Sequence, residues 1–234
     1  MADDNPHQER WLRPTAFLDY DTPEVRAFAE SRSAGATGDR AKAIALYYAV
    51  RDEFRYDPYR VEHTQAGFSA SGLLARGYGF CLPKATLLAA CARAIGIPAR
   101  LGYGDVRNHL TTERLRQSMG TDLFIFHGYA QLFIEDRWVK ATPAFNSAMC
   151  ERFGVKPLEF DGVTDSLFHA FDASGRRHME YVHDRGLYDD VPLDEILAAW
   201  RAVFPSMASA PDAGSAPAEF APDDLVGRGD VVLR

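Results

Sequence analysis

The stretch Gly77-Tyr78-Gly79-Phe80-Cys81-Leu82-Pro83-Lys84-Ala85 constrains this chain more than any other. Glycines at 77 and 79 permit sharp backbone angles and close approach of another segment, and Pro83 suits the first turn of a helix, where its missing N–H costs nothing. Leu87, Cys91 and Ile95 then recur every fourth position, Ala89, Ala90, Ala92 and Ala94 favour helix, and Gly96 and Pro98 stop it. Cys81 therefore stands where a helix begins. Unpartnered N–H groups and the positive end of the helix dipole favour a thiolate there, so the pattern predicts a Cys81 pKa below that of an ordinary thiol. Cys91, on the apolar stripe, reads as a small buried hydrophobe, and Cys150 carries no signal for chemistry.

The run Gly79-Phe80-Cys81-Leu82-Pro83-Lys84-Ala85-Thr86-Leu87-Leu88, followed by Arg93-Ala94-Ile95-Gly96-Ile97-Pro98-Ala99-Arg100, resembles the nucleophile segment of the transglutaminase-like superfamily. The resemblance extends over roughly residues 39–146. It implies an α+β, papain-like fold in which the nucleophile helix packs on an antiparallel sheet, and a helix-start Cys meets a His and usually an Asp from neighbouring strands. The implied chemistry is thiol-based acyl transfer on a peptide, amide or thioester, with water or an amine as acceptor and no cofactor.

The chain of 234 residues can bury one substantial core. It reads as an N-terminal arm and short helix (1–38), a domain over 39–204, and a disordered or extended tail (205–234) rich in Ala, Pro, Ser, Gly and Asp. A net charge of −7 argues against nucleic acid or an anionic membrane as the main partner, and no run approaches the ~18 apolar residues of a membrane span. Three cysteines, an odd number, and an opening of Met1-Ala2-Asp3-Asp4-Asn5 without a signal pattern lead to the expectation of a reduced, cytoplasmic setting.

Thr22 and Pro23 predict a capped helix start, and from Asp39 the residues Ala43, Leu46, Tyr47, Val50 and Phe54 form a core-facing stripe. Gln65 reads as a surface amide, which leaves the backbone N–H of Cys81 as the oxyanion donor. Leu101–Val106 reads as a strand, Thr111–Met119 as a short helix or lid-like excursion, and His109 as a solvated loop residue near Asp105. Phe124–Ile134 and Trp138–Thr142 are rich in strand formers and flank the turn Glu135-Asp136-Arg137, a β-hairpin. If Ile134 pairs with Trp138, Ala130 lies opposite Thr142 and His127 opposite Phe145.

The resemblance carries His127 into the place of the base. It does not carry an Asp: where the family has Val-Asp-Pro, this chain has Ala141-Thr142-Pro143. Three readings follow. Thr142 orients the imidazole without charge; Asn146 or Asp161 fills the third place; or catalysis is lost and the fold serves as a binding module that holds a peptide or partner in a groove around Tyr78, Phe80 and Tyr129. The intact Cys81 and His127 favour an enzyme, and the stand-alone size leans towards hydrolysis as a peptidase or amidase. His178 and His183 are five apart, which is not a metal-ligand spacing, so His178–Val182 reads as a strand and no metal is expected. Val191–Trp200 reads as an amphipathic helix that closes the core.

Overall fold

A computed structural model describes residues 8–109, 116–117, 119–168 and 179–204. Most of the 111–119 excursion, His178 and the 205–234 tail lie outside the described residues. After a 3-10 turn at Gln8–Leu12, helix α1 (Pro23–Ser33) starts at the predicted proline, but Thr22 does not cap it. Its hydroxyl donates to the Asp19 carbonyl (2.7 Å) instead. Helix α2 (Gly38–Glu53) leads into the two-residue strand β1 (Arg55–Tyr56). The short helices α3 (Gln65–Phe68) and α4 (Ala70–Arg76) are capped by the side chains of Thr64 and Ser69. Strand β2 (Tyr78–Gly79) then pairs in parallel with β1, Arg55 opposite Tyr78 and Tyr56 opposite Gly79. A Cβ at Gly79 would lie 2.7 Å from Leu73 Cδ1, so only glycine lets β2 sit this close to α4.

Helix α5 (Cys81–Ala94) follows directly, then strands β3 (Ala99–Asn108), β4 (Leu123–Ile134) and β5 (Arg137–Ala141), helix α6 (Ser147–Phe153), strand β6 (Met179–Tyr188) and helix α7 (Leu193–Val203). The four long strands form one antiparallel sheet in the order β5-β4-β3-β6. Helices α1, α2 and α4 cover one side of α5 and the sheet covers the other, so every residue from Cys81 to Arg93 is buried. The apolar stripe predicted from every fourth residue is thus one line on a helix apolar nearly all round, as a central helix must be.

Two cations interrupt that apolar surface. Lys84 is fully buried, and its ammonium donates to the carbonyls of Arg51 (2.8 Å), Phe54 (2.9 Å) and Ala144 (2.8 Å). Arg93 donates to the carbonyls of Ala99, Arg13 and Asp189. Lys84 thereby ties the end of α2 and the segment after β5 to the first turn of the nucleophile helix.

The hairpin register differs from the predicted one by one residue. Ile134 pairs with Arg137, and Ala130 lies opposite Ala141 rather than Thr142. The turn consists of Glu135 and Asp136 alone, both with positive φ (48° and 61°), the left-handed pair that matches the twist of a two-residue hairpin. One residue of register changes the face of every side chain. Carried past the end of β5, the observed register sets Thr142 level with Tyr129, on the face that Tyr129 shares with His127; the predicted one would have put it on the opposite face.

Replacing Lys84 by Met keeps the chain length but leaves three buried carbonyls without a donor. Urea unfolding of Lys84→Met should show a loss of about 3–5 kcal/mol, against at most about 0.5 kcal/mol for Lys42→Met on half-buried α2. Equal losses in the two variants would mean that the ammonium does not hold these segments together.

Candidate active site

The first turn of α5 places Cys81, 7% exposed, against strand β4. The backbone N–H groups of Gly128, Leu82 and Cys81 itself are directed at its sulfur. Gly128 makes the approach possible, because a Cβ there would press on the Leu82 backbone at 3.3 Å. These donors favour the thiolate, as the helix-start position predicts, but burial outweighs them and pushes the thiol up to about 12. The predicted fall in pKa is therefore reversed: the sulfur is desolvated and no neighbouring cation compensates.

His127 is equally enclosed, and burial pulls its imidazole down to about 3. Neither Nδ1 nor Nε2 has a hydrogen-bond partner among the described residues. The resting pair is a neutral thiol and a neutral imidazole. The ring packs edge-on against Phe168, with centroids 4.6 Å apart, and more loosely against Tyr181 at 6.5 Å.

A local distortion of the sheet sets the place of His127. Phe126 adopts φ +57°, and the β3–β4 register shifts between Gly104 and Val106. The Phe126 N–H donates to Asp105 Oδ1 (3.1 Å), Arg185 holds the same carboxylate with Nε and Nη2, and its guanidinium lies 4.3 Å over the Phe126 ring. A buried ion pair between β3 and β6 thus stabilises a strained residue immediately before His127.

Thr142 is buried, and its backbone is pinned from the helical layer: Tyr47 Oη lies 3.1 Å from its carbonyl, and Lys84 holds the carbonyl of Ala144 two residues on. Thr142 Oγ1 makes no hydrogen bond of normal geometry, although the Tyr181 hydroxyl is directed towards it. Burial raises the Tyr181 phenol, and Cys81 is among the groups it faces. Cys81 and His127 line a common cavity of about 60 Å³, walled further by Phe80, Phe126, Trp200 and Phe204. Its roof is α7, fastened where the Trp200 indole N–H donates to the Ile125 carbonyl (3.2 Å).

The other predicted site residues lie elsewhere. Asn146 Oδ1 accepts the Tyr56 N–H (3.3 Å) and so steadies β1, while exposed Asp161 closes its own turn by accepting the N–H groups of Val163 and Thr164. Neither hydrogen-bonds His127. Of the predicted groove residues, Phe80 lines the cavity, Tyr78 lies outside it with Arg60 4.3 Å over its ring, and Tyr129 lines a second cavity with Tyr181. Gln65 donates to the Ala16 carbonyl, and His109 pairs with Glu180 rather than Asp105. Strand β6 runs well past the predicted Val182, and His183 on it is exposed. Asp105, Arg185, Tyr181 and the α7 aromatics escape a sequence reading, since each reaches the site across a long separation; Lys84, a charge in the first turn of an otherwise apolar stretch of helix, does carry a signal.

The imidazole makes stability depend on pH. The unfolded chain takes up a proton on His127 near 6.5, whereas the folded protein resists until about 3, so stability falls as pH drops below 6.5. Between pH 7.5 and pH 5 the parent should lose about 2 kcal/mol more than His127→Leu in urea unfolding. Parallel pH profiles for the two proteins would contradict a neutral buried imidazole.

No curated protein sequence matches the chain. Among solved structures, a cysteine protease candidate from Cytophaga hutchinsonii aligns with a TM-score of 0.47 at 16% identity, over 80% of this chain and 55% of its own. The periplasmic domain of TgpA from Pseudomonas aeruginosa bound to ethylmercury gives 0.41 at 21% identity, over 61% of this chain and 50% of its own. A protease candidate from Parabacteroides distasonis gives 0.37 at 15% identity, over 54% and 26%. The chain therefore spans between about a quarter and just over half of the length of these structures. The sequence model of the transglutaminase-like superfamily matches residues 26–143, just over half of the chain and the whole stretch from α1 to the exit of β5. The chain is a member of the transglutaminase-like superfamily.

Proposed function

We propose that this protein is a thiol-dependent acyl-transfer enzyme, a peptidase or amidase with water as acceptor. One observation carries the reading: a cysteine at the start of a buried helix and a histidine whose ring nitrogens have no partner among the described residues face the same cavity. Buried polar atoms are nearly always satisfied, so unpaired groups beside a nucleophile are best understood as waiting for substrate.

Cys81 Sγ attacks the carbonyl carbon of an amide or thioester, and its proton passes to His127 as the S–C bond forms. With the thiol near 12 and the imidazole near 3, the transfer accompanies attack instead of preceding it. The N–H of Cys81, free of any intrahelical acceptor at a helix start, stabilises the oxyanion. His127 returns the proton to the leaving nitrogen or sulfur as the carbonyl bond to it breaks. Water then attacks the Cys81 thioester and loses its proton to His127; the S–C bond breaks, the acid leaves, and His127 returns the proton to the Cys81 sulfur. Thr142 Oγ1 accepts the second imidazole N–H while the ring is charged; it fixes the ring but supplies no countercharge.

Intact-mass trapping of the acyl group from a p-nitrophenyl ester should place one adduct on Cys81. Cys81→Ala should abolish it, Cys150→Ala should leave it, and His127→Ala should slow acylation about 10²–10⁴-fold. Thr142→Asp should restore a countercharge, raise the imidazole pKa and speed acylation about 10-fold, while Thr142→Val should slow it. If no adduct forms on Cys81 between pH 6 and pH 10, the acyl-transfer reading fails, and a binding module that retains the fold becomes the better account.

A further inference from the structure

The cavity beside Cys81 has a composition and a size that its chemistry alone does not require. Away from Cys81 and His127 its walls include Val61, Phe80, Ile125, Phe126 and Phe204, Tyr56 is a further titratable residue in the lining, and no Asp, Glu, Lys or Arg lines it among the described residues. The one indole N–H in reach is already given to the Ile125 carbonyl. A charged group entering this space beyond Cys81, His127 and Tyr56 would lose its water and meet no opposite charge among the described residues. The volume of about 60 Å³, at about 10–15 Å³ for each water-sized group, has room for about four to six such groups.

The roof is rigid. Trp200 stacks against Phe80 and Phe68, with ring centroids 6.2 Å and 5.9 Å apart, and the Phe204 N–H donates to the Trp200 carbonyl (2.6 Å). Phe204 closes the end of α7 with 3% of its surface exposed. We propose that this cavity is an acyl-chain pocket, which selects donors whose acyl group is an uncharged aliphatic chain of about four to six carbons, and that Phe204 sets the upper limit. The inference rests on the acyl-transfer reading. The bond made is Cys81 S–C(=O)R, the bond broken joins that carbonyl to the leaving group, and the thiol proton goes through His127 to the leaving group.

The test is a series of p-nitrophenyl esters: acetate, butyrate, hexanoate, octanoate and decanoate. The rate of p-nitrophenolate release is read together with the mass of the Cys81 adduct. In the parent, acylation should rise about fourfold per methylene up to butyrate or hexanoate and fall at least about 10-fold by decanoate. The mono-p-nitrophenyl ester of glutarate, similar in length but charged at its end, should react at least about 100-fold more slowly than butyrate. Phe204→Ala should move the optimum to octanoate. Val61→Phe, on a half-buried loop, should fill the space and move it to acetate. A Cys81 adduct formed at rates indifferent to chain length, or an optimum shared by the parent and both variants, would overturn the pocket and leave the acyl-transfer reading standing. The absence of any Cys81 adduct across the whole series would overturn the reading beneath it as well.

Discussion

The buried ammonium of Lys84 holds together the parts of this protein that make a site possible. Three carbonyls surround it, and only the charged form has three N–H groups to give; a neutral amine has two. Burial draws its pKa down to about 7 against the pull of the Asp52 carboxylate, while the three carbonyls favour the charged form. Its partners come from the end of α2 and from the residues just after Thr142, so the start of the nucleophile helix, β1 and the exit of β5 form one unit. Arg93 repeats the arrangement at the other end of α5, with backbone carbonyls again as acceptors. A central helix with no surface of its own is thus fixed at both ends by cations that never reach water.

Within this frame the reacting groups are unusually short of charge. A cysteine protease that rests as a thiolate–imidazolium pair keeps a reactive sulfur at all times. Here burial disfavours both ions, and the ion pair of Asp105 and Arg185 shapes the strand before His127. A sulfur kept neutral and enclosed in this way is protected from adventitious alkylation and oxidation. Thr142, where the family has an acid, is consistent with that economy of charge.

The parts of the fold that depend on neighbours in sequence were legible. Glycines, a proline and an alanine-rich run located α5 and Cys81, and strand formers around a turn located the hairpin with His127. The register was missed because Glu135 and Asp136 adopt the left-handed turn without glycine, the residue that normally announces it. The direction of the Cys81 shift was missed for a different reason: helix-start electrostatics are local, whereas desolvation depends on everything packed around the sulfur. Asn146 has the right side-chain type for a third member and Asp161 sits in a turn-forming Asp-Gly, yet one serves β1 and the other its own turn. No local pattern links Asp105 to Arg185, eighty positions on.

Cys81, His127 and Thr142 all lie within residues 26–143, the span shared with the superfamily, whereas Trp200 and Phe204 lie on a helix beyond it. The bond-making groups and the roof above them are encoded in separate stretches of chain, joined in space chiefly by one indole hydrogen bond and a few aromatic faces. On the proposed reading, mutations in α7 retune what fits without disturbing how it reacts, an evolutionary freedom that a site built from a single segment lacks.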